Sequence, residues 1–172
     1  SGQRNVFDHC HIAGLGDAVS ADSNGSRSLK ISGAGENVFE DCVIGIDTVT
    51  RTTSNASLEF SGGTARNLFQ HCQFPFQTDT SGVLGVVGTG ASCMDRYQTF
   101  DNCLFVNNIK STSTTMTVLG SLTNAAPGGL LLYKQCILVG IGEYGDTIAL
   151  ANSYIDGFTG AAATSGIAVN PS

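Results

Sequence analysis

The sequence predicts an all-β solenoid, a parallel β-helix, and three observations predict it. The first is a recurring phrase. Asn37-Val38-Phe39-Glu40-Asp41-Cys42-Val43-Ile44 is preceded by Asn5-Val6-Phe7-Asp8-His9-Cys10-His11-Ile12 and followed by Asn67-Leu68-Phe69-Gln70-His71-Cys72-Gln73-Phe74. Gln98-Thr99-Phe100-Asp101-Asn102-Cys103-Leu104-Phe105 and Leu132-Tyr133-Lys134-Gln135-Cys136-Ile137-Leu138 repeat it again. The second is the spacing: these cysteines stand 32, 30, 31 and 33 residues apart, the mark of a repeat architecture. The third is that no i, i+3, i+4, i+7 pattern is sustained over a helical length. Three short strands per repeat make one coil, and a period of about 31 residues gives about five to six coils. A β-sandwich or jelly roll also has many short strands, but its strands do not copy one another.

The first strand of each coil is the aromatic one. An aromatic three residues before cysteine would fall on the opposite face under strict alternation. A bend at the intervening polar pair returns both to one side, so Phe39, Cys42 and Ile44 point inward. Repeated, this gives a core ladder of Phe7, Phe39, Phe69, Phe100 and Tyr133, with a second of Cys10, Cys42, Cys72, Cys103 and Cys136. The residue before each cysteine is polar: His9, Asp41, His71, Asn102 and Gln135, with Asn152 in a fainter sixth copy, Leu150 to Ile155. Such side chains bond to nearby backbone at turns, and here they are expected to bond to the copy above as a turn ladder.

The remaining elements follow in order. A loop is expected at Ala21 to Ser26. Ser28 to Ser32 and Ser57 to Ser61 alternate apolar and polar as half-buried strands, and both end in glycine. Thr48-Val49-Thr50 reads as a further short β-branched strand. Pro75 to Gly82 and Gly88 to Arg96 read as inserted loops, and Leu130 to Tyr133 as a buried strand. Coils are expected over residues 1–156 and an extended tail or cap over 157–172. The chain opens in mid-repeat, which leads us to expect a segment preceding Ser1.

Composition sets further bounds. The 172 residues are 41% apolar and 13% charged, with 22 glycines and three prolines. Disorder needs the reverse, low hydrophobicity and high net charge. The net charge is −6 and no basic cluster appears, so nucleic acid is not an expected partner. No apolar run is long enough for a membrane helix. Residues 1–110 hold 18 charged side chains and residues 111–172 hold four, Lys134, Glu143, Asp146 and Asp156. A surface so poor in charge is expected to be covered, most simply by other copies of the chain.

The columned cysteines are expected to be free and buried, because stacked side chains suit the disulfide dihedral poorly. No spacing matches a zinc site. Cys93 lies outside the column and is the one candidate for an exposed thiol, although burial is the commoner fate of cysteine.

The turn-then-cysteine phrase resembles the right-handed parallel β-helix of the pectin-lyase-like superfamily over residues 1–156, and that resemblance implies stacked asparagine and aliphatic ladders. Ala56 to Gly63, Ser111 to Met116 and Thr164 to Pro171 are similar to segments of β-helical virion proteins of tailed phages. This second resemblance implies a capsid decoration protein, head fibre or fibre segment at the virion surface, assembled as a homotrimer and held by the capsid or another virion protein. A polysaccharide-binding or depolymerising tailspike-like domain is the alternative, and a bacterial adhesin module a third.

Catalytic constellations are sparse. Glycoside hydrolysis needs two carboxylates, one of them a general acid. Asp8, Glu40 and Asp101 share a repeat position, but Gln70 breaks the row and Lys134 ends it, so a solvated turn edge is expected. The paired-aspartate and Gly-His-Gly motifs of the superfamily's polygalacturonases are missing. A column of His9, Asp41 and His71 could hold a metal, yet its outer rungs lie ~10 Å apart, wider than one ion spans. It is read as structural. Neither a cofactor nor a metal is expected, nor catalysis. Phe76, Tyr97, Tyr144 and Phe158 are the aromatics left for the surface, too dispersed to mark a groove for a surface glycan.

Overall fold

In the computed structural model the chain is a parallel β-solenoid with a repeat of about 31 residues. The structure describes residues 3–14, 26–51, 56–78, 85–109, 116–122, 129–145, 153–155 and 158–159, and among them there is no helix.

Strands fall on three sheets. The first has the order β1 (Val6–Asp8), β4 (Val38–Glu40), β7 (Leu68–Gln70), β10 (Gln98–Asp101), β13 (Leu131–Lys134), β16 (Ser153–Ile155) and β17 (Phe158–Thr159). The second runs β14 (Ile137–Val139), β11 (Leu104–Ile109), β8 (Gln73–Thr78), β5 (Val43–Ile44) and β2 (His11–Ile12). The third runs β15 (Ile141–Gly145), β12 (Met116–Leu122), β9 (Val86–Thr89), β6 (Ala56–Ser61) and β3 (Arg27–Ser32). Neighbours are parallel, except that β17 folds back antiparallel on β16. Register follows the sequence repeat: Phe7 pairs with Phe39, Phe39 with Phe69, Phe69 with Phe100, and Phe100 with Tyr133.

The bend between the first and second sheets has a single physical cause. His9, Asp41, His71, Asn102 and Gln135 all adopt the left-handed conformation, with φ of 50–52°. One such residue turns the chain and brings the aromatic and the cysteine onto the same side. Asn and Asp tolerate this region best among residues with a Cβ. The turn stacks through backbone: the amides of His9, Asp41, His71 and Asn102 donate to the carbonyls of Glu40, Gln70, Asp101 and Lys134, at 2.9–3.0 Å.

Three sequence expectations are corrected. Residues 75–78 are not an inserted loop; they complete β8, whose Pro75 and Phe76 pair with Val106 and Asn107 and whose Phe76 is buried. The proposed 88–96 loop begins inside β9, and its Cys93 and Met94 are sealed in the core. Thr48 and Val49 lie in a bend and Thr50 in no strand; the ladder contact comes at Arg51, which bridges to Thr78. The loop at 21–26 lies outside the described residues except for Ser26, as do residues 150–152 of the sixth copy.

Candidate functional site

The interior consists of columns. Rings of Phe7, Phe39, Phe69, Phe100 and Tyr133 stack face to face with centroids 4.7, 4.8, 4.9 and 5.1 Å apart. This spacing is the strand separation itself. Phe74 and Phe105 stack at 4.7 Å in a second column, edge-on to the first. Phe7 is only half buried, whereas Phe39, Phe69, Phe100 and Tyr133 are enclosed.

The thiol column is bonded to the backbone. Sγ of Cys42, Cys72, Cys103 and Cys136 donates to the carbonyls of Phe7, Phe39, Phe69 and Phe100, one rung away, at 3.3–3.4 Å. All six cysteines are free. Burial pushes the Cys42 thiol up; hydrogen bonding to Cys103, then burial, pushes Cys72 up; hydrogen bonding to Cys136 pushes Cys103 up. These groups stay protonated at neutral pH and offer no thiolate as nucleophile or ligand. Cys93, the candidate exposed thiol, is buried.

The expected polar ladder is displaced. Side chains of His9, Asp41, His71, Asn102 and Gln135 are exposed, and Asn102 bonds to its own neighbour Asp101 at 2.9 Å rather than to the copy above. Asn152 lies outside the described residues. The inter-rung ladder is formed instead by the residue opening each phrase. Nδ2 of Asn5 donates to Oδ1 of Asn37 at 3.0 Å, Asn37 to Asn67 at 2.8 Å, and Asn67 to Oε1 of Gln98 at 2.7 Å. The backbone amides of Asn5, Asn37 and Asn67 donate to the same oxygens at 3.2 Å. The column ends where Gln98 donates to the carbonyl of Thr64. Its signal was an amide two residues before the aromatic in four consecutive copies.

A second buried polar group also escaped the sequence. Glu59, on β6, receives Arg27 at 2.7 Å, Lys30 at 2.7 Å and the hydroxyl of Thr89 at 2.7 Å. Burial alone would raise its pKa, but the hydrogen bonds from Lys30 and Thr89 and the charge of Arg27 outweigh it and hold the carboxyl below its ordinary value. Nearby, Arg51 is enclosed and donates from Nη2 to Ser28 at 3.0 Å; burial, then the charge of Arg27, lowers its guanidinium to about 10.

The carboxylate row sits where the repeat placed it. Asp8 pairs in register with Glu40, Glu40 with Gln70, Gln70 with Asp101, and Asp101 with Lys134, which closes an ion pair at 2.9 Å. On another edge, Glu36 is held by Arg66 and by Arg4, and hydrogen bonds from both lower its pKa. Glu36 and Glu59 are thus both held as carboxylates by their cationic partners. Of the aromatics assigned to the surface, Tyr97 is exposed, Phe76 and Tyr144 are buried, and the Phe158 side chain lies outside the described residues. The structure does bring Asp8, His9 and Asp41 together on the turn edge, with ligand-capable atoms within 4.8 Å of one another.

No family model, no curated protein and no solved structure matches the chain.

Proposed function

We propose that the chain is a non-enzymatic structural component of a phage particle, a capsid decoration protein, head fibre or fibre segment, assembling as a homotrimer through low-charge outer faces. The observation that carries this reading is the outward side of two sheets. On the second sheet Leu104 pairs with Ile137 and Val106 with Val139, and Ile137 and Val139 are 58% and 46% exposed. On the first sheet Val6, Val38, Leu68, Thr99 and Leu132 occupy one outward column, aliphatic but for Thr99. Aliphatic residues gathered on a solvent face mark a surface that meets a partner. A sister chain is the simplest partner, given only four charged residues over 111–172.

The rest of the reading is built around that face. Residues 1–156 are the coiled body in this reading, with 157–172 as a tail packed on a neighbour or on the solenoid end. Right-handed, pectin-lyase-like coils follow from the turn-then-cysteine phrase, and the particle from the resemblance of 56–63, 111–116 and 164–171 to phage virion segments. Such a protein works mechanically: stacked ladders give a stiff body and the apolar face joins it to its neighbours.

The test is quantitative mass spectrometry of the native source fractionated on a density gradient. Cofractionation with intact particles, at a copy number divisible by three and proportional to the shell protein, is the expected result. A few copies per particle would instead favour a tail appendage acting on surface polysaccharide. Absence from particles would overturn the assignment.

A further inference from the structure

We propose that Asp8, His9 and Asp41 form a surface site for one divalent transition-metal cation, ligated by Nε2 of His9 and the carboxylate of Asp41. Asp8 orients the imidazole, and water completes the coordination. The objection to a metal shared by His9 and His71 is their separation by two rungs. It does not apply here, because Asp8 and His9 are adjacent in sequence and Asp41 is one rung away, with all three ligand-capable atoms within 4.8 Å.

The contacts divide into two kinds. Nδ1 of His9 is hydrogen-bonded to Oδ1 of Asp8. That bond places the proton of the neutral ring on Nδ1 and leaves the lone pair on Nε2, the arrangement by which a carboxylate prepares histidine for a metal. Nε2 then stands 3.9 Å from Oδ2 of Asp41. This is too long for a hydrogen bond. Two atoms each ~2.1 Å from one tetrahedral cation are separated by ~3.4 Å, so an inward shift of ~0.5 Å by the exposed Asp41 carboxylate would close the pair on a cation. On the far side of Asp41, Nδ1 of His71 lies 3.8 Å from Oδ1, which places it to steady the carboxylate through solvent.

The scaffold and the field favour occupancy. His9 and Asp41 are fixed at φ of 51° and 50°, and their amides are bonded at 3.0 Å to Glu40 and Gln70, so little backbone ordering accompanies binding. The carboxylates of Asp8 and Asp41 flank the imidazole, so the local charge is negative where a cation would sit. One imidazole with one carboxylate favours nickel, cobalt or zinc over calcium or magnesium, which prefer all-oxygen ligands.

The experiment is calorimetric titration of the reduced, untagged protein with Ni²⁺ at neutral pH. We expect one equivalent bound by the wild type, no binding by His9→Ala, at least ~10-fold weaker binding by Asp41→Asn, and ~10-fold weaker binding by Asp8→Ala through loss of orientation. His71→Ala should keep one equivalent. Unfolding midpoints without metal separate ligand loss from misfolding. No wild-type binding at millimolar nickel, or undiminished binding by folded His9→Ala, would overturn the site.

Discussion

Asn67 joins two rungs at once through a single amide. Its Oδ1 accepts the backbone amide and Nδ2 of Asn37, and its Nδ2 donates to Gln98. It is 1% exposed, so no water replaces a lost partner. Asn67→Ala strands donors on Asn37 as well as deleting its own bonds, and each buried orphan costs ~1–3 kcal/mol. We expect a loss of about 3 kcal/mol in urea denaturation at unchanged m-value. Asn5→Ala, at the exposed end of the same column, should cost well under half of that. Glu59 makes the other prediction at this scale. Its folded-state pKa is depressed, so its contribution is fully present above the ordinary glutamate value of about 4.3 and is lost as pH falls through the folded value. The urea midpoint of the wild type should therefore fall as pH drops below about 4.3, and Glu59→Gln should flatten that fall. A variant profile as steep as the wild type would show that another carboxylate governs the acid limb.

At the scale of elements, the left-handed turn does the most to define the coil. It was legible because the spacing of three between aromatic and cysteine contradicts strand alternation, and a bend resolves the contradiction. The position of the hydrogen-bonding column was missed, although an amide recurs two residues before the aromatic in four copies. Asn5, Asn37 and Asn67 face inward because each follows a second left-handed residue, Arg4, Glu36 or Arg66, at φ of 59°, 61° and 51°. Charged residues carry no sequence signature for that conformation, since Gly, Asn and Asp are its usual occupants. β8 was misread for a related reason: Pro75 signals a break, yet its coil pairs through to Thr78. The turn itself can be tested at Asn102, with φ of 52° and an exposed side chain. Asn102→Val should cost about 1–2 kcal/mol, the penalty of a left-handed conformation for a residue with a bulky Cβ. Asn102→Gly should stay within about 0.5 kcal/mol of the wild type, because freedom at φ offsets chain entropy. Equal thermal midpoints for the valine and glycine variants would mean that the turn relaxes and that the backbone bond to Lys134 does not hold it.

For the whole molecule, the informative contrast is between its inside and its outside. Inward positions repeat the same residue types rung after rung, so the sequence alone exposed the core. Outward positions vary, and only strand register shows that Leu104, Val106, Ile137 and Val139 share one side of one sheet. The shortage of charge in the last 62 residues was plain from composition, but the position of the apolar patch was not. A solvated β-face alternates apolar inside with polar outside, and here the outward alternation is missing over two adjacent strands. Charge placed at its centre should separate assembly from folding. Ile137→Lys together with Val139→Lys removes two exposed aliphatics without touching the ring column. Light scattering after size exclusion should give a trimer for the wild type and a monomer for the double variant. Circular dichroism should be unchanged, although the unfolding midpoint becomes independent of protein concentration, since only an assembled chain gains stability by mass action. A wild type that is monomeric at every concentration, or a double variant that still assembles, would remove this face as the interface and with it the main support for a trimeric structural role.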